Sequence, residues 1–493
     1  MPVRILQKSM NDIAAAGALV VPVYRTGSSH LYSRVPKAVM ELIDRLRAAS
    51  GIDGEIGSVA AVSCESRLLP PLVVFTGIAS RAEAGNADLT DSYAAGVRKA
   101  ALGDCPSVAL LAGNLSGSRE AAITGAAMGS LYFSRKQKPR RQKLREAIIV
   151  SGDEPLPAAD LKKFAAMATA HARAFELVNS DGASVTPERL AEEARGLARN
   201  PHISATIWDH REIVKRGMGL LAAVGRSSAN RPKFIHLEYS PGKAASGHLA
   251  VVGKGITFDT GGIDLKRYPG LPTMKGDMGG AAAVLGLFHA LPDLAPPMRI
   301  SGLIPAAENS FGGNSYKPGD VYKSMSGRHV EVGDTDAEGR LVLADAIHYA
   351  TTLKPDAIVD LATLTGSCVV GLGEDYAGLF STSDRLAGDI LDAGSRAFER
   401  FWQMPLPAGY RRHILSPIAD LKNVASTRYG DAIMAALFLR EFTGGLPWAH
   451  LDIAGPSWYD DDQPGYPGMG TGFGVRTLCR LVEPANWRRG RFL

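Results

Sequence analysis

Charged side chains threaded through glycines mark where this chain could do chemistry. Lys254, Asp259 and Lys266 lie within Gly253-Lys254-Gly255-Ile256-Thr257-Phe258-Asp259-Thr260-Gly261-Gly262-Ile263-Asp264-Leu265-Lys266. Asp336, Glu338 and Arg340 lie within Gly333-Asp334-Thr335-Asp336-Ala337-Glu338-Gly339-Arg340-Leu341, and Asp277 stands between the two segments, in Met274-Lys275-Gly276-Asp277-Met278-Gly279-Gly280. Such charges are costly to bury unless they pair or coordinate a metal. Singly they have ordinary explanations. Asp277 can cap the helix predicted by the small residues after it, and Asp336 and Glu338 can favour a helix N-terminus. Capping, however, requires neither Asp259 nor the lysines nor Arg340. Asp336 and Glu338 are two residues apart and would share one face of an extended segment. Together the carboxylates of Asp259, Asp277, Asp336 and Glu338 carry the charge that two divalent cations would neutralise. Two adjacent metals suit hydrolysis, one polarising a carbonyl while both hold and activate a water. Lys254 could ligate only as a neutral amine, a form that a neighbouring dication favours. Lys266 and Arg340 would stay charged and stabilise an oxyanion.

The elements that must position these groups read as α/β. His248–Val252 and Asp356–Asp360 are expected central strands, each ending where polar residues begin, and a helix is expected from Leu341. Ligands of open α/β sheets bind off the carboxyl ends of strands, which fits both positions. Further upstream, Ala18–Val23, Val59–Val62, Pro71–Phe75, Val108–Ala112 and Ala147–Val150 read as short buried strands with alanine-rich helices between them. A long helix over Ala158–Val178 links this part to the next, and Thr186-Pro187-Glu188 opens a capped helix. We therefore expect an N-terminal α/β domain over residues 1–165, with an oligomerisation or regulatory role. A larger α/β catalytic domain with a mixed central sheet should follow over 166–493.

Composition narrows the class. At 493 residues with 45% apolar and 21% charged content, the chain is a globular protein too long for one ordinary core. Its net charge of +5 does not by itself imply nucleic acid. Cys64, Cys105, Cys368 and Cys479 form no CxxC pair, so neither a disulfide framework nor a thiolate zinc site is indicated. No signal core or membrane span is evident, and a reducing, cytoplasmic setting is expected. The eleven histidines include no HExxH, and the glycine pairs lack phosphate-loop spacing. His450, beside Trp448 in a strand-like run, reads as a core or supporting residue. The basic run Arg135–Lys143 and the tail Arg488-Arg489-Gly490-Arg491 read as solvated segments.

With these motifs in hand, the chain resembles the leucyl aminopeptidase family of cytosolic dinuclear metallo-exopeptidases (peptidase family M17). The family signature Asn-Thr-Asp-Ala-Glu-Gly-Arg-Leu stands here as Asp334-Thr335-Asp336-Ala337-Glu338-Gly339-Arg340-Leu341. Gly253–Gly262 resembles the family's first metal segment. Ala307-Glu308-Asn309, Pro318-Gly319-Asp320, Asp360–Gly366, Ala419–Asn423, His450–Gly455 and Gly470–Arg476 continue the likeness, in order, over about residues 170 to 480. The resemblance implies two divalent metal ions, manganese or zinc foremost. Asp259, Asp336 and Glu338 would hold one; Lys254, Asp259, Asp277 and Glu338 would hold the other. It implies catalytic roles for Lys266, polarising the scissile carbonyl, and for Arg340, holding a bicarbonate as general base. The free α-amine of a peptide substrate would meet Asp277 and the second metal. Met274, Thr363 and Gly366 would line the pocket for its first side chain, suiting leucine- or methionine-like groups. A homohexamer and an N-terminal domain resembling a macro fold are implied as well.

The departures are local. Asp334 replaces the family's asparagine, and Asn179-Ser180-Asp181-Gly182-Ala183 replaces its Asn-Thr-Pro-Pro-Asn loop. As some members also bind DNA, the basic loop around Arg140 makes a nucleic-acid role the alternative, through salt-dependent phosphate contacts.

Overall fold

Runs of small and β-branched residues set the framework. The computed structural model describes residues 3–25, 35–78, 80, 85–103, 105–112, 117–136, 144–150, 156–242, 245–427 and 429–483. The chain forms two compact units, Met1–Ala172 with Tyr459–Met469, and Arg173–Trp458 with Gly470–Leu493.

The first unit carries β1 (Arg4–Lys8), β2 (Ala18–Val23), β3 (Val59–Ser63), β4 (Leu72–Gly77), β5 (Ser107–Leu111) and β6 (Glu146–Val150). They form one sheet in the order β1-β6-β5-β2-β4-β3, parallel throughout except for β3 against β4. Strand β2 is apolar and buried along its whole length, the mark of a strand covered on both faces. Its Pro22 has no N–H to give, and it falls beyond Val20, where pairing with β5 stops. Helices α1 (Lys37–Ser50), α2 (Asn86–Leu102) and α3 (Ser118–Gly129) connect the strands, and α4 (Ala158–Asn179) carries the chain onward.

The second unit begins with α5 (Pro187–Leu197), where the Thr186 hydroxyl accepts from Arg189 N at 3.3 Å and Pro187 takes the first turn, as expected. Its strands are β7 (Ile203–Trp208), β8 (Lys233–Tyr239), β9 (His248–Gly253), β10 (Gly255–Asp259), β11 (Arg299–Asn309), β12 (Val321–Lys323), β13 (His329–Glu331), β14 (Ala357–Ala362), β15 (Tyr376–Ser381), β16 (Arg400–Gln403), β17 (Leu421–Lys422) and β18 (Trp448–Asp452). Nine of them make one mixed sheet, β16-β15-β18-β14-β9-β11-β8-β7, with β10 also on β11; β12-β13-β17 form a small second sheet. The accompanying helices are α6 (His210–Lys215), α7 (Gly219–Val224), α8 (Gly279–Leu294), α9 (Glu338–Thr352), α10 (Gly366–Leu372), α11 (Asp384–Ala397), α12 (Asp431–Arg440) and α13 (Val475–Leu481). Val252, Leu303, Leu341, Ile347, Ile358 and Trp448 share one buried apolar cluster, so strands and helices are fixed by a common core.

Because β9, β11, β14 and β18 run parallel as neighbours, their carboxyl ends lie along one edge of the sheet. Helix α8 starts against that edge. A Cβ on Gly280 would sit 2.1 Å from Leu361 O and 2.7 Å from Lys254 N, so only glycine permits the approach. One expectation is corrected. Helix α9 begins at Glu338 rather than Leu341, and Ala337 (φ −104°, ψ 39°) turns the chain before it. Asp336 and Glu338 therefore do not share the face of an extended segment; a turn into the helix brings them together.

Candidate metal centre

Four short breaks in regular structure supply the acidic groups. Asp259 ends β10, and Asp277 closes the 3-10 turn Leu271–Gly276 ahead of α8. Asp336 lies in the turn before α9, and Glu338 is that helix's first residue. Neither Asp277 nor Asp336 is an N-cap, since Met278 and Ala337 hold those positions without a side-chain capping bond. Asp259, Asp336 and Glu338 present oxygens that all lie within 4.8 Å of one another.

The lysines knit the group together. Lys254, the one residue between β9 and β10, places Nζ 2.8 Å from Asp277 Oδ1 and 2.9 Å from Glu338 Oε1. Its ammonium also donates to Thr363 O at 2.9 Å. Lys266 Nζ lies 2.9 Å from Asp259 Oδ2 and 2.6 Å from Asp336 Oδ1. Burial works against both ammonium groups, but the surrounding carboxylates, Asp277 and Glu338 for Lys254 and Asp259 and Glu338 for Lys266, more than offset it; both pKa values lie above the usual lysine range.

Four carboxylates thus face two ammonium groups, and the acids show the imbalance. Burial, with Asp259 nearby, pushes Asp336 up to about 7 although Lys266 opposes the shift. Burial and Asp259 raise Glu338, and burial raises Asp277 well above the carboxylate range. Anionic charge is under-compensated here, the condition that added cations relieve. Among the described residues, the buried Asp277 Oδ2 and Glu338 Oε2 have no hydrogen-bond partner. An unsatisfied buried carboxylate oxygen is costly, and a divalent cation is the partner that such an all-oxygen set fits. The residues present fit the metals that the sequence implies.

Arg340 is only 4% exposed. Nη1 donates to Asn423 O at 2.7 Å, and Nη2 lies 3.2 Å from Asp431 Oδ1, while the buried Nε has no hydrogen-bond partner among the described residues. On the pocket side, Thr363 Oγ1 donates to Asp277 Oδ1 at 2.7 Å. Met274 precedes Asp277 within the same 3-10 turn, and Gly366 opens α10 just beyond Thr363. Met274 O accepts from Asp277 N at 3.3 Å, whereas Gly366 joins the group through chain adjacency.

Several supporting residues carried no sequence signal as individuals. Asn309 Nδ2 donates to Asp259 Oδ1 at 2.7 Å and to Thr335 O at 3.0 Å; Tyr316 donates to Thr335 O at 2.7 Å. Gly261 (φ 86°) turns the chain so that its carbonyl accepts from Thr335 Oγ1 at 2.7 Å, and a Cβ there would meet Asp264 O at 2.4 Å. Asp452 accepts from Leu364 N and Thr365 N through Oδ1 and from Thr365 Oγ1 through Oδ2, bracing the turn that holds Thr363. Asn309 and Asn423 stood inside matched motifs, but nothing in their spacing assigned them these contacts. His450, fully buried, pairs with Asp360 at 2.6 Å.

Asp334 takes up the contacts an amide could make. Its Oδ1 accepts from Asp336 N at 2.7 Å. Burial, opposed by that bond and assisted by the neighbouring Asp264, raises its pKa. The basic segments stay outside this picture. Residues 137–143 and 484–493, including Arg140 and the arginine-rich tail, lie outside the described residues.

Fold and site together define a hydrolase of α/β architecture with a buried, cation-seeking carboxylate cluster at its strand ends. The profile of the cytosol aminopeptidase family, catalytic domain, matches residues 172–479. A probable cytosol aminopeptidase of Chlamydia abortus is 38% identical over 491 residues, covering 97% of this chain and 98% of that protein. One from Aquifex aeolicus is 43% identical over 376 residues, 75% of each. Among solved structures, the bottromycin maturation enzyme BotP in complex with Mn superposes with a TM-score of 0.82 at 34% identity, covering 96% of this chain and all of that one. The chain belongs to the cytosol aminopeptidase family. It is a leucyl aminopeptidase-type hydrolase, and the nucleic-acid alternative gains no support from these relatives.

Proposed function

We propose that the chain is a metal-dependent aminopeptidase that removes N-terminal residues, leucine- and methionine-like ones foremost, from peptides with a free α-amine. The observation that carries this reading is the pair of buried, unpartnered carboxylate oxygens of Asp277 and Glu338. Asp259, Asp336 and Glu338 would hold one cation; Lys254 as a neutral amine, Asp259, Asp277 and Glu338 would hold another. Manganese or zinc suits the set, and the Mn complex of BotP supports manganese. When bound, such ions polarise a carbonyl and make water a stronger nucleophile.

The chain's own residues do the rest. Asp277, oriented by Thr363 and Lys254, receives the substrate's free α-amine, which an internal peptide cannot offer. Lys266, braced between Asp259 and Asp336, presents its ammonium to the scissile carbonyl oxygen as negative charge develops there. Arg340, with both Nη atoms engaged, keeps Nε for an anion; a bicarbonate held there would take the proton of the attacking water. Met274, Thr363 and Gly366 receive the first side chain. Cytoplasmic residence and a homohexamer belong to the same proposal, on family likeness. The test is a panel of aminoacyl substrates on metal-stripped protein, with each divalent ion restored in turn. Release of N-terminal leucine or methionine with manganese or zinc is expected. A folded protein inactive with every ion would sink the reading.

A further inference from the structure

Asn423 is fully buried immediately after β17, and every polar atom it owns is used. Its Oδ1 accepts from Gly333 N at 2.7 Å and, at longer range, from Asp334 N at 3.4 Å. Its Nδ2 donates to Asp334 O at 2.7 Å and to Ala337 O at 3.3 Å. Its main-chain N donates to Glu331 O at 3.0 Å, and its main-chain O accepts Arg340 Nη1 at 2.7 Å. One residue therefore grips the segment 333–337 on both its donor and its acceptor sides while also holding the guanidinium of Arg340. That segment carries Asp336 and delivers the chain into Glu338. A carboxylate pair of this kind binds a cation well only when its backbone is fixed beforehand, and hydrogen bonds behind the ligands do the fixing.

We infer that Asn423 is a positioning residue that couples the cation-binding carboxylates to Arg340, so that cation affinity and the proton-transfer geometry rise or fall together. The inference rests on the function proposed above. No other residue type supplies this pattern in the same space. Aspartate keeps the acceptor for Gly333 N but turns an oxygen toward two carbonyls, whereas serine reaches only one side.

The experiment compares wild type with Asn423→Asp and Asn423→Ser. Mn2+ binding to metal-stripped protein is followed by calorimetry, and kcat and KM are measured at saturating Mn2+. Loss of a group that orients metal ligands typically costs 10–100-fold in affinity. We expect the dissociation constant for Mn2+ to rise at least about tenfold and kcat to stay depressed at saturating Mn2+, with KM changed less than about twofold. A merely structural role would lower the melting temperature and leave Mn2+ affinity of the folded protein unchanged; that result overturns the inference. Because either replacement can disturb folding, the coupling is also read in the wild type by hydrogen exchange. Mn2+ should slow exchange in 421–424 together with 333–338, and protection confined to 333–338 overturns the inference equally. Wild-type protein that neither binds Mn2+ nor turns over would instead overturn the proposed function.

Discussion

Replacing Asp336 by asparagine should make the protein more stable than wild type in a chelator and less stable than wild type in Mn2+. In the metal-free fold the Asp336 carboxyl sits at about 7 against an ordinary 3.8, chiefly through burial and then Asp259. At 1.36 kcal/mol per unit the shift would be worth about 4 kcal/mol in a fully buried site. The side chain is 35% exposed, so solvent screening reduces this to about 1–2 kcal/mol. The sign follows from the direction. Below pH 3.8 the group is protonated in both folded and unfolded chains, and nothing is gained or lost. From 3.8 to about 7 the folded carboxylate becomes progressively unfavourable, and above that the whole penalty applies. An uncharged amide at this position would remove it. In a chelator at pH 8, D336N should melt about 2–4 °C above wild type, with the difference vanishing near pH 4. With Mn2+ at a hundredfold excess over its dissociation constant, wild type gains about 2.7 kcal/mol and the variant, lacking a ligand, gains little. Thermal melts in both buffers check this. If D336N melts below wild type in chelator at pH 8, or gains as much from Mn2+, the argument that this carboxylate is held for a cation is wrong.

Other consequences are simpler to state. Lys266→Ala should lower kcat by about 100–1,000-fold, because it removes an electrostatic stabiliser of the developing charge; steady-state kinetics on the folded variant at saturating Mn2+ decides it. Asp345 accepts Leu220 N and Leu221 N at 3.0 Å and Met325 N at 2.7 Å, so Asp345→Asn turns a donor toward a buried N–H. Urea unfolding should show a loss of about 1–3 kcal/mol. Glu238 is held down to about 2 by the neighbouring His236, 3.6 Å away, opposed by burial and assisted by the hydrogen bond from Arg299. Its contribution is present above pH 4.5 and lost as pH falls toward 2, so Glu238→Gln should cost about 1–2 kcal/mol at pH 7 and almost nothing at pH 2. Equal losses at both pH values would refute that assignment.

Much of this was legible in the amino-acid order. Strand β2 is a continuous apolar run and β9 becomes one after His248, and runs of that kind declare themselves. The charges at their ends were legible for the opposite reason, since Lys254 and Asp259 among glycines have no cheap burial. The start of α9 was misread because Gly339, a poor helix former, hides the first turn, which is fixed instead by Asn423 and Asp334 from outside. Asn309, Asn423 and Asp452 escaped because their importance lies in partners remote in sequence, which no local pattern reveals.

That remoteness has a consequence for how the protein comes into being. The bonds completing the site span 109 residues from Lys254 to Thr363, 89 from Asp334 to Asn423 and 88 from Leu364 to Asp452. Contacts of such separation form late, after the local helices and hairpins. A chain still being synthesised would carry Asp259, Asp277, Asp336 and Glu338 before the residues that hold them in register exist. Hydrolytic competence therefore arrives only with the last strand of the large sheet, and a half-made protein has the acids of the site without its geometry.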